Sequence, residues 1–239
     1  MSQSPLFCLI HGHGVDASIW DGIYADLALD YQVLAPDFSR LTHLTTIEAY
    51  ADELSDRLPL ANDQKVILVG HSMGGYMALA FAEKYPNRVL GLILYHSTAT
   101  ADDDVKRQAR QQVIQELQTA GTSPFIHKQM PKMVAPSCAP ELIEELEHRF
   151  LNLPADALVA GVKAIAGRPD RTAILRDAQF PVLLVLGRED QLIPYEKTAQ
   201  LASLSGRIKV AAIEQAGHLS MVEQPTQSTE ILRAFVAQL

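Results

Sequence analysis

Residues 65–76, with the sequence KVILVGHSMGGY, decide the fold of this 239-residue chain. The uninterrupted apolar run 66–69 predicts a strand that is covered on both faces of a parallel sheet. The apolar residues after the glycines predict a buried helix that ends near Tyr85. Ser72 therefore lies on a sharp strand-to-helix turn, with a glycine two residues away on each side, where a side chain would crowd the backbone. The turn raises the Ser72 hydroxyl above the sheet, beside helix N-terminal N–H groups that suit a developing oxyanion.

The rest of the chain repeats this strand-and-helix pattern on both sides of residues 65–76. Short apolar runs alternate with amphipathic segments in the first hundred residues, and the alternation resumes after residue 180. The strands predicted from these runs are 6–10, 31–35, 66–69, 89–95, 181–186 and 208–213. Such alternation predicts an α/β fold, with a parallel sheet of about six strands and helices on both faces.

One long segment interrupts the alternation. Residues 100–167 carry no strand signal, and their patterns predict four helices at 102–120, 124–135, 140–153 and 156–166. We expect residues 1–99 and 168–239 to form the core and residues 100–167 to form a helical cap, or lid, over Ser72. Met130 and Met133 are expected in the roof of the site, because methionine adapts to irregular apolar ligands. The alternative, that these helices simply extend the core, stays open.

The composition excludes several classes of partner. Formal net charge is −8 with a pI of about 5.4, and no run of Lys or Arg occurs, which argues against nucleic acid and anionic membrane surfaces. Cys8 and Cys138 lie in distant segments, so we expect no disulfide framework and a cytoplasmic location. The first fourteen residues lack the features of a signal peptide, and no apolar run approaches the roughly 20 residues of a membrane span. A monomer and a homodimer both remain open.

Two residues that follow predicted strands suit a serine nucleophile. A serine hydroxyl needs a base within hydrogen-bond reach, and the base needs a third group that orients it. Asp190 follows strand 181–186 and His218 follows the last strand, so both should reach the carboxyl edge of the sheet with Ser72. Glu189 and Asp102 are the competing acids, although Asp102 is interpreted as a helix cap. The competing histidines, among the 8 in the chain, lie in loops, beside strands or in the helical segment.

The Gly70-x-Ser72-x-Gly74 turn, followed by Asp190 and then His218, resembles the nucleophile elbow and the acid and base loops of the α/β-hydrolase family. The resemblance covers nearly the whole chain and implies a catalytic triad of Ser72, His218 and Asp190. Residues 11–14, with the sequence HGHG, resemble the oxyanion loop of that family, which implies that the backbone N–H groups of His13 and Met73 form the oxyanion hole. Members commonly begin with an antiparallel strand pair, but here five residues precede the first strand, so we predict a trimmed, all-parallel sheet.

The resemblance implies a hydrolase that cleaves a small or medium carboxylic ester or lactone through an acyl-enzyme, without a cofactor. His11 and His13 lack nearby cysteine or carboxylate partners, so we expect no metal site. Hydrolysis of an acyl-thioester or of a carbon–carbon bond stays open, although Leu219 stands after His218 where carbon–carbon hydrolases usually have Trp. A small-ligand receptor with little turnover is the alternative from another class.

Overall fold

The strands of the computed structural model, which describes residues 5–60 and 64–239, form one sheet. Their bounds are β1 Leu6–Ile10, β2 Gln32–Leu34, β3 Val66–His71, β4 Val89–Tyr95, β5 Val182–Gly187 and β6 Ile208–Ile213. The six strands run in the order β2-β1-β3-β4-β5-β6, and every neighbouring pair is parallel. The predicted six-stranded parallel sheet is confirmed. Because the strands are parallel, their carboxyl ends share one edge of the sheet. The loops that follow β1, β3, β4, β5 and β6 all begin at that edge.

Eleven α-helices surround the sheet in the described part of the chain. They are α1 Asp21–Leu27, α2 Ile47–Arg57, α3 Met73–Lys84, α4 Asp104–Ala120, α5 Thr122–Met133, α6 Pro140–Phe150, α7 Ala155–Gly167, α8 Thr172–Asp177, α9 Tyr195–Ala199, α10 Ser220–Glu223 and α11 Pro225–Val236. The sequence patterns did not predict α8 and α10, because six and four residues are too few to show helical periodicity.

Two helix caps predicted from the sequence are wrong: Asp102, and Ser18 at the start of a helix predicted over residues 18–29. Asp16, two residues before Ser18, accepts the Ser18 backbone N–H at 2.9 Å and begins the first helical segment as a 3-10 turn. Asp103 caps α4 by accepting the Lys106 N–H at 2.8 Å, so Asp102 is not the cap. In each case neighbouring polar residues compete for the cap position, and the backbone direction selects the side chain that can reach the free N–H groups.

The apolar core has two layers, one on each face of the sheet. Cys8, Leu68 and Leu92 point into the layer formed with α2 and α3, whereas Ile67 and Ile93 point into the layer formed with α1 and α11. Successive residues of a strand face opposite sides, so a run that is apolar throughout supplies both layers at once. This explains why the strand segments read as continuous apolar runs rather than as alternating ones.

Helices α4 to α7 lie between β4 and β5 and share the core with the sheet. Ile126, Phe150 and Leu158 from these helices belong to the same buried cluster as Ile67 and Val69. Truncating a buried side chain such as Phe150 to alanine typically costs about 3–5 kcal/mol, so this packing holds the segment firmly. The division of the chain into a core and a cap stays a prediction.

The helices in the described part of the chain are short relative to a membrane span. No single one is long and apolar enough to cross a membrane, and α6 and α7 meet the length and composition test only as a pair that bends by 103°. The expectation that the chain begins without a signal peptide falls partly on residues 1–4, which lie outside the described residues.

Candidate active site

Ser72 occupies a strained turn between β3 and α3. Its backbone angles are φ 51° and ψ −116°, in a region that residues with a side chain rarely adopt. A Cβ atom at Gly70 would lie 2.5 Å from the Gly74 carbonyl oxygen, and one at Gly74 would lie 2.4 Å from the Ile10 carbonyl oxygen. These distances give the glycines the role that the sequence predicts for them, because only glycine lets β1, β3 and α3 approach so closely.

Asp190 and His218 form a buried hydrogen-bonded pair at the ends of β5 and β6. His218 Nδ1 lies 2.7 Å from Asp190 Oδ2, while Asp190 Oδ1 accepts the backbone N–H groups of Leu192 and Ile193 at 2.8 and 2.9 Å. Burial alone would raise the pKa of Asp190, but the charge and hydrogen bonds of His218 and His96 outweigh burial and hold that pKa well below its usual range. Asp190 is therefore a carboxylate that accepts the Nδ1–H of His218, and the other ring nitrogen is left with its lone pair.

Ser72 and His218 line the same cavity, which has a volume of about 120 Å³. Within the described residues the Ser72 hydroxyl makes no hydrogen bond, so the two side chains face one cavity without being joined to each other. Drug-sized ligands occupy cavities of roughly 300–1,000 Å³, so this one suits a small ligand. Its apolar wall consists of Met133, Ile165, Leu192 and Ile193.

The loop after β1 passes beside Ser72. A Cβ atom at Gly12 would lie 3.0 Å from the Ser72 Cβ atom, so the loop can approach Ser72 this closely only with glycine at position 12. His11 holds the loop, because its Nδ1–H donates to the Gly12 carbonyl oxygen at 2.8 Å while its Nε2 accepts the Phe38 N–H at 2.8 Å. The N–H groups of His13 and Met73 donate to no other group in the part of the chain that the structure describes.

The His13 imidazole connects this loop to the helical segment. Its Nε2–H donates to the Leu158 carbonyl oxygen of α7 at 2.8 Å, and its ring packs edge-on against Phe125 of α5 with centroids 5.6 Å apart. A Cβ atom at Gly161 would lie 2.6 Å from the His13 ring, so α7 can approach only with glycine there. Burial lowers the pKa of His13 to about 4, which keeps the ring neutral at pH 7.

His96 is a second histidine on the Asp190 carboxylate, and the sequence reading did not assign it a role. Its Nδ1–H donates to Asp190 Oδ2 at 3.0 Å, and its Nε2 lies 2.6 Å from the Ser220 hydroxyl. Burial lowers the pKa of His96, so the ring is neutral at pH 7. The sequence did hold a signal for this contact. His96 directly follows β4, the strand that pairs with β5, and Asp190 follows β5.

The same three residues offer ligand atoms to a metal ion. One nitrogen of each histidine and one Asp190 oxygen all lie within 4.8 Å of one another. These atoms already make hydrogen bonds to one another. His218 Nδ1 lies 2.7 Å and His96 Nδ1 lies 3.0 Å from Asp190 Oδ2, and all three residues are buried. The geometry matches an acid that orients its histidine better than a set of ligands around an ion.

His71 and Glu223 hold the loop that carries His218. His71 Nε2–H donates to the His218 carbonyl oxygen at 2.9 Å, and burial keeps the pKa of His71 well below its usual value. Glu223 accepts the N–H groups of Gly217 and Ala135 at 2.9 and 2.7 Å. The loop that carries His218 is thereby tied both to the end of β3 and to the chain just after α5, which a sequence reading of isolated motifs could not show.

The structure places the competing acid Asp102 in an ion-pair cluster away from any histidine. Its two carboxylate oxygens accept from Arg168 at 2.8 Å and from Arg110 at 3.1 Å. Burial acts to raise the pKa of Asp102, and the two arginines more than offset it, so the pKa lies below its usual value. The competing acid Glu189 makes no side-chain hydrogen bond within the described ranges, and three of the competing histidines are exposed, namely His43, His127 and His148.

The chain is similar in sequence to a known protein family, to one relative over nearly its whole length and to another over less than half of it. Residues 9–230 match the model of the Alpha/beta hydrolase family. A pimeloyl-[acyl-carrier protein] methyl ester esterase of Aeromonas salmonicida is 27% identical over 257 aligned positions, which cover 98% of this chain and 96% of that protein. An uncharacterised protein of Mycobacterium bovis is 35% identical over 109 residues, or 42% of this chain, and the match spans only 31% of that longer protein.

Two solved structures superpose over nearly the whole chain. A thermophilic esterase from Thermogutta terrifontis, in a malate-bound form, has a TM-score of 0.92 at 30% identity and covers 99% of this chain and 90% of its own. The enol-lactonase from Burkholderia xenovorans has a TM-score of 0.83 at 18% identity over 99% of this chain and 92% of its own, which shows the fold alone. The family model spans residues 9–230, and the Thermogutta terrifontis esterase is similar over nearly the whole chain. This chain therefore belongs to the α/β-hydrolase family.

Proposed function

We propose that this protein is a serine hydrolase that cleaves a small or medium carboxylic ester or lactone, with Ser72 as nucleophile, His218 as base and Asp190 as the orienting acid. The observation that carries the proposal is that Ser72, on its strained turn, shares one cavity with a histidine whose far side is bonded to a buried carboxylate at 2.7 Å. Relatives named as a methyl ester esterase and an esterase support ester chemistry.

In the first half of the reaction, Ser72 Oγ attacks the carbonyl carbon and its proton passes to His218 Nε2. Asp190 holds the Nδ1–H tautomer, so that Nε2 has a lone pair to accept that proton, and it stabilises the imidazolium that forms. The carbonyl oxygen becomes an oxyanion that accepts from the N–H groups of His13 and Met73. When the tetrahedral intermediate collapses, the alcohol oxygen leaves with the proton from His218, and the acyl group remains on Ser72.

In the second half, water takes the place of the alcohol. The water oxygen attacks the acyl carbon while His218 removes a proton from the water. The N–H groups of His13 and Met73 again donate to the oxyanion that forms. Collapse breaks the bond to Ser72, whose oxygen recovers the proton from His218, and the carboxylic acid leaves. Apart from the substrate and water, every group in this scheme belongs to the chain, so the proposal includes no cofactor.

We also propose that residues 100–167 act as the cap that limits substrate size. Arg110, Gln129, Met133 and Ile165 come from this segment and line the cavity with Ser72. Met133 is the roof methionine of this proposal. The expectation for Met130 is wrong, because Met130 is fully buried and lies outside the cavity wall. A volume of about 120 Å³ favours short acyl groups over those of triglycerides.

The proposed function is tested with a fluorophosphonate probe and p-nitrophenyl acetate. Wild type should be labelled and should turn over the ester, whereas Ser72→Ala should lose both, with turnover reduced by at least about 10³-fold. Ser203→Ala, at an exposed serine, is the matched control and should behave like wild type. Labelling without turnover would favour the receptor alternative, and unchanged turnover in Ser72→Ala would reject the triad.

A cytoplasmic location is proposed from the thiols. Cys8 and Cys138 are both free, and burial raises the pKa of each, so neither thiol is activated for exchange. Free thiols persist most readily in a reducing compartment. Fractionation of the native cells, with immunodetection of the protein in each fraction, checks this point, and recovery outside the cytoplasmic fraction would contradict it.

A further inference from the structure

A single cation, Arg110, stands on the wall of the cavity that holds Ser72. The other polar side chains on that wall are His13, Tyr76, Gln129, Ser72 and His218, and none of the described lining residues is acidic. The chain as a whole has a formal charge of −8, so a cationic wall at this point runs against the charge of the molecule. Such a local reversal of sign favours anionic ligands.

The position of Arg110 is fixed from behind by an ion-pair cluster. Its Nε–H donates to Asp102 Oδ2 at 3.1 Å, while Arg168 donates to Asp102 Oδ1 at 2.8 Å. The Arg168 guanidinium is buried and stacks on the ring of Tyr76, 4.1 Å from its centroid. One carboxylate therefore serves two guanidinium groups, and the cluster keeps a net positive charge that Asp102 cannot neutralise.

The outward side of Arg110 has no partner in the described ranges. Its terminal nitrogens make no hydrogen bond there, and neither does the side-chain amide of Gln129, although the other two bonds of the cluster are well formed. The Arg110 side chain is 35% exposed, whereas that of Asp102 is 1% exposed, so only the arginine can meet a ligand. Two unpaired donor groups thus converge on a cavity in which the nucleophile also lies.

We propose that Arg110, assisted by Gln129, binds a carboxylate of the substrate, so that the protein acts on esters that carry a free carboxylate near the scissile bond. The inference rests on the proposed function. A guanidinium presents two parallel N–H groups to a carboxylate, and the primary amide of Gln129 can donate a further hydrogen bond. The carboxylate can belong to the acyl part, as in a monoester of a dicarboxylic acid, or to the alcohol part, as in an acylated hydroxy acid.

The experiment compares kcat/KM for charged esters with neutral esters of the same shape. Monomethyl succinate is paired with methyl succinamate for the acyl side, and acetoxyacetate is paired with acetoxyacetamide for the alcohol side. Wild type should prefer the charged member of one pair at least about tenfold, because hydrogen bonds between charged groups contribute that much. The pair that shows the preference identifies the side that carries the carboxylate.

The variant Arg110→Met should reduce that preference to within about twofold, and Arg110→Lys should restore part of it. Arg107→Met is the matched control, because it removes an exposed arginine of the same helix that pairs with Asp104 and lies outside the cavity wall, so the preference should remain. Circular dichroism confirms that each variant is folded.

The outcomes separate the inference from the function on which it rests. If wild type hydrolyses the neutral and charged members equally, or if Arg110→Met keeps the preference, the carboxylate site is refuted while the hydrolase stands. If wild type hydrolyses none of the esters and p-nitrophenyl acetate as well, the proposed function fails, and this inference fails with it.

Discussion

The neutral, partly buried imidazole of His13 should make stability depend on pH in a way that can be calculated. His13 donates to Leu158 of α7, and burial lowers its pKa to about 4 in the folded protein, while an unfolded chain has a histidine pKa of about 6.5. The unfolded chain therefore takes up the proton first as the pH falls. The contribution of His13 is fully present above pH 6.5 and is lost progressively as the pH drops toward 4.

The size of the effect follows from the two pKa values. At pH 5 the unfolded histidine is almost fully protonated and the folded one is mostly neutral, which corresponds to a loss of about 2 kcal/mol relative to pH 8. The variant His13→Gln keeps a donor toward Leu158 but cannot titrate. Between pH 8 and pH 5 the free energy of unfolding should fall in both proteins, but the fall should be about 2 kcal/mol smaller in His13→Gln than in wild type.

Urea unfolding followed by circular dichroism at pH 8, 6.5 and 5 measures this difference. His71 and His96, whose pKa values are also lowered, contribute equally to both proteins and cancel in the comparison. His43→Gln, at an exposed histidine, is the control and should show the wild-type dependence. If wild type and His13→Gln lose stability in parallel within about 0.5 kcal/mol, burial of a neutral His13 is not the cause.

Three further perturbations test the site. Asp190→Asn should lower kcat for p-nitrophenyl acetate by roughly 10⁴-fold, because the amide favours the wrong tautomer of the base. Asp102→Asn should lower kcat less than tenfold, but it should reduce the free energy of unfolding by about 3 kcal/mol because Arg168 loses its charged partner. The reverse ranking of the two variants in kcat would move the acid to Asp102. Gly74→Ala should destabilise the fold by about 1–3 kcal/mol in urea unfolding, since its Cβ atom meets the Ile10 carbonyl oxygen at 2.4 Å, and wild-type stability would contradict that contact. Met133→Ala should raise kcat/KM for p-nitrophenyl hexanoate relative to the acetate by enlarging the cavity, and an unchanged ratio would remove Met133 from the roof.

Much of the fold could be predicted because the relevant signals are local. The apolar runs of β1, β3, β4 and β5 follow from the need to bury both faces of a parallel strand. Similarly, the glycines around Ser72 report a close approach that no other residue allows, and the structure shows the carbonyl oxygens they avoid. Short elements such as α8 and α10, and the choice between adjacent capping residues, depend on a single turn of chain and escaped prediction.

For the candidate site too, some residues could be predicted from the sequence and others only from the folded structure. The proposal of Ser72, Asp190 and His218 came from two signals in the sequence. Each residue follows a predicted strand, and strands of one parallel sheet end at one edge, while the surrounding motifs resemble those of the α/β-hydrolase family. The separation of Asp190 from Asp102 needed coordinates, since both follow strands and only the folded chain shows that one meets a histidine and the other two arginines.

Only the tertiary structure decided which distant residues support the site and which charged side chain lines its cavity. His96 reaches Asp190 across 94 positions, His13 reaches Leu158 across 145, and Arg110 comes to the wall around Ser72 from a helix that no motif marks. Local sequence determines conformation and burial because backbone sterics and apolar periodicity act over a few residues. Hydrogen bonds and charges between distant side chains depend on how whole helices dock, and that position is set by packing over the entire core.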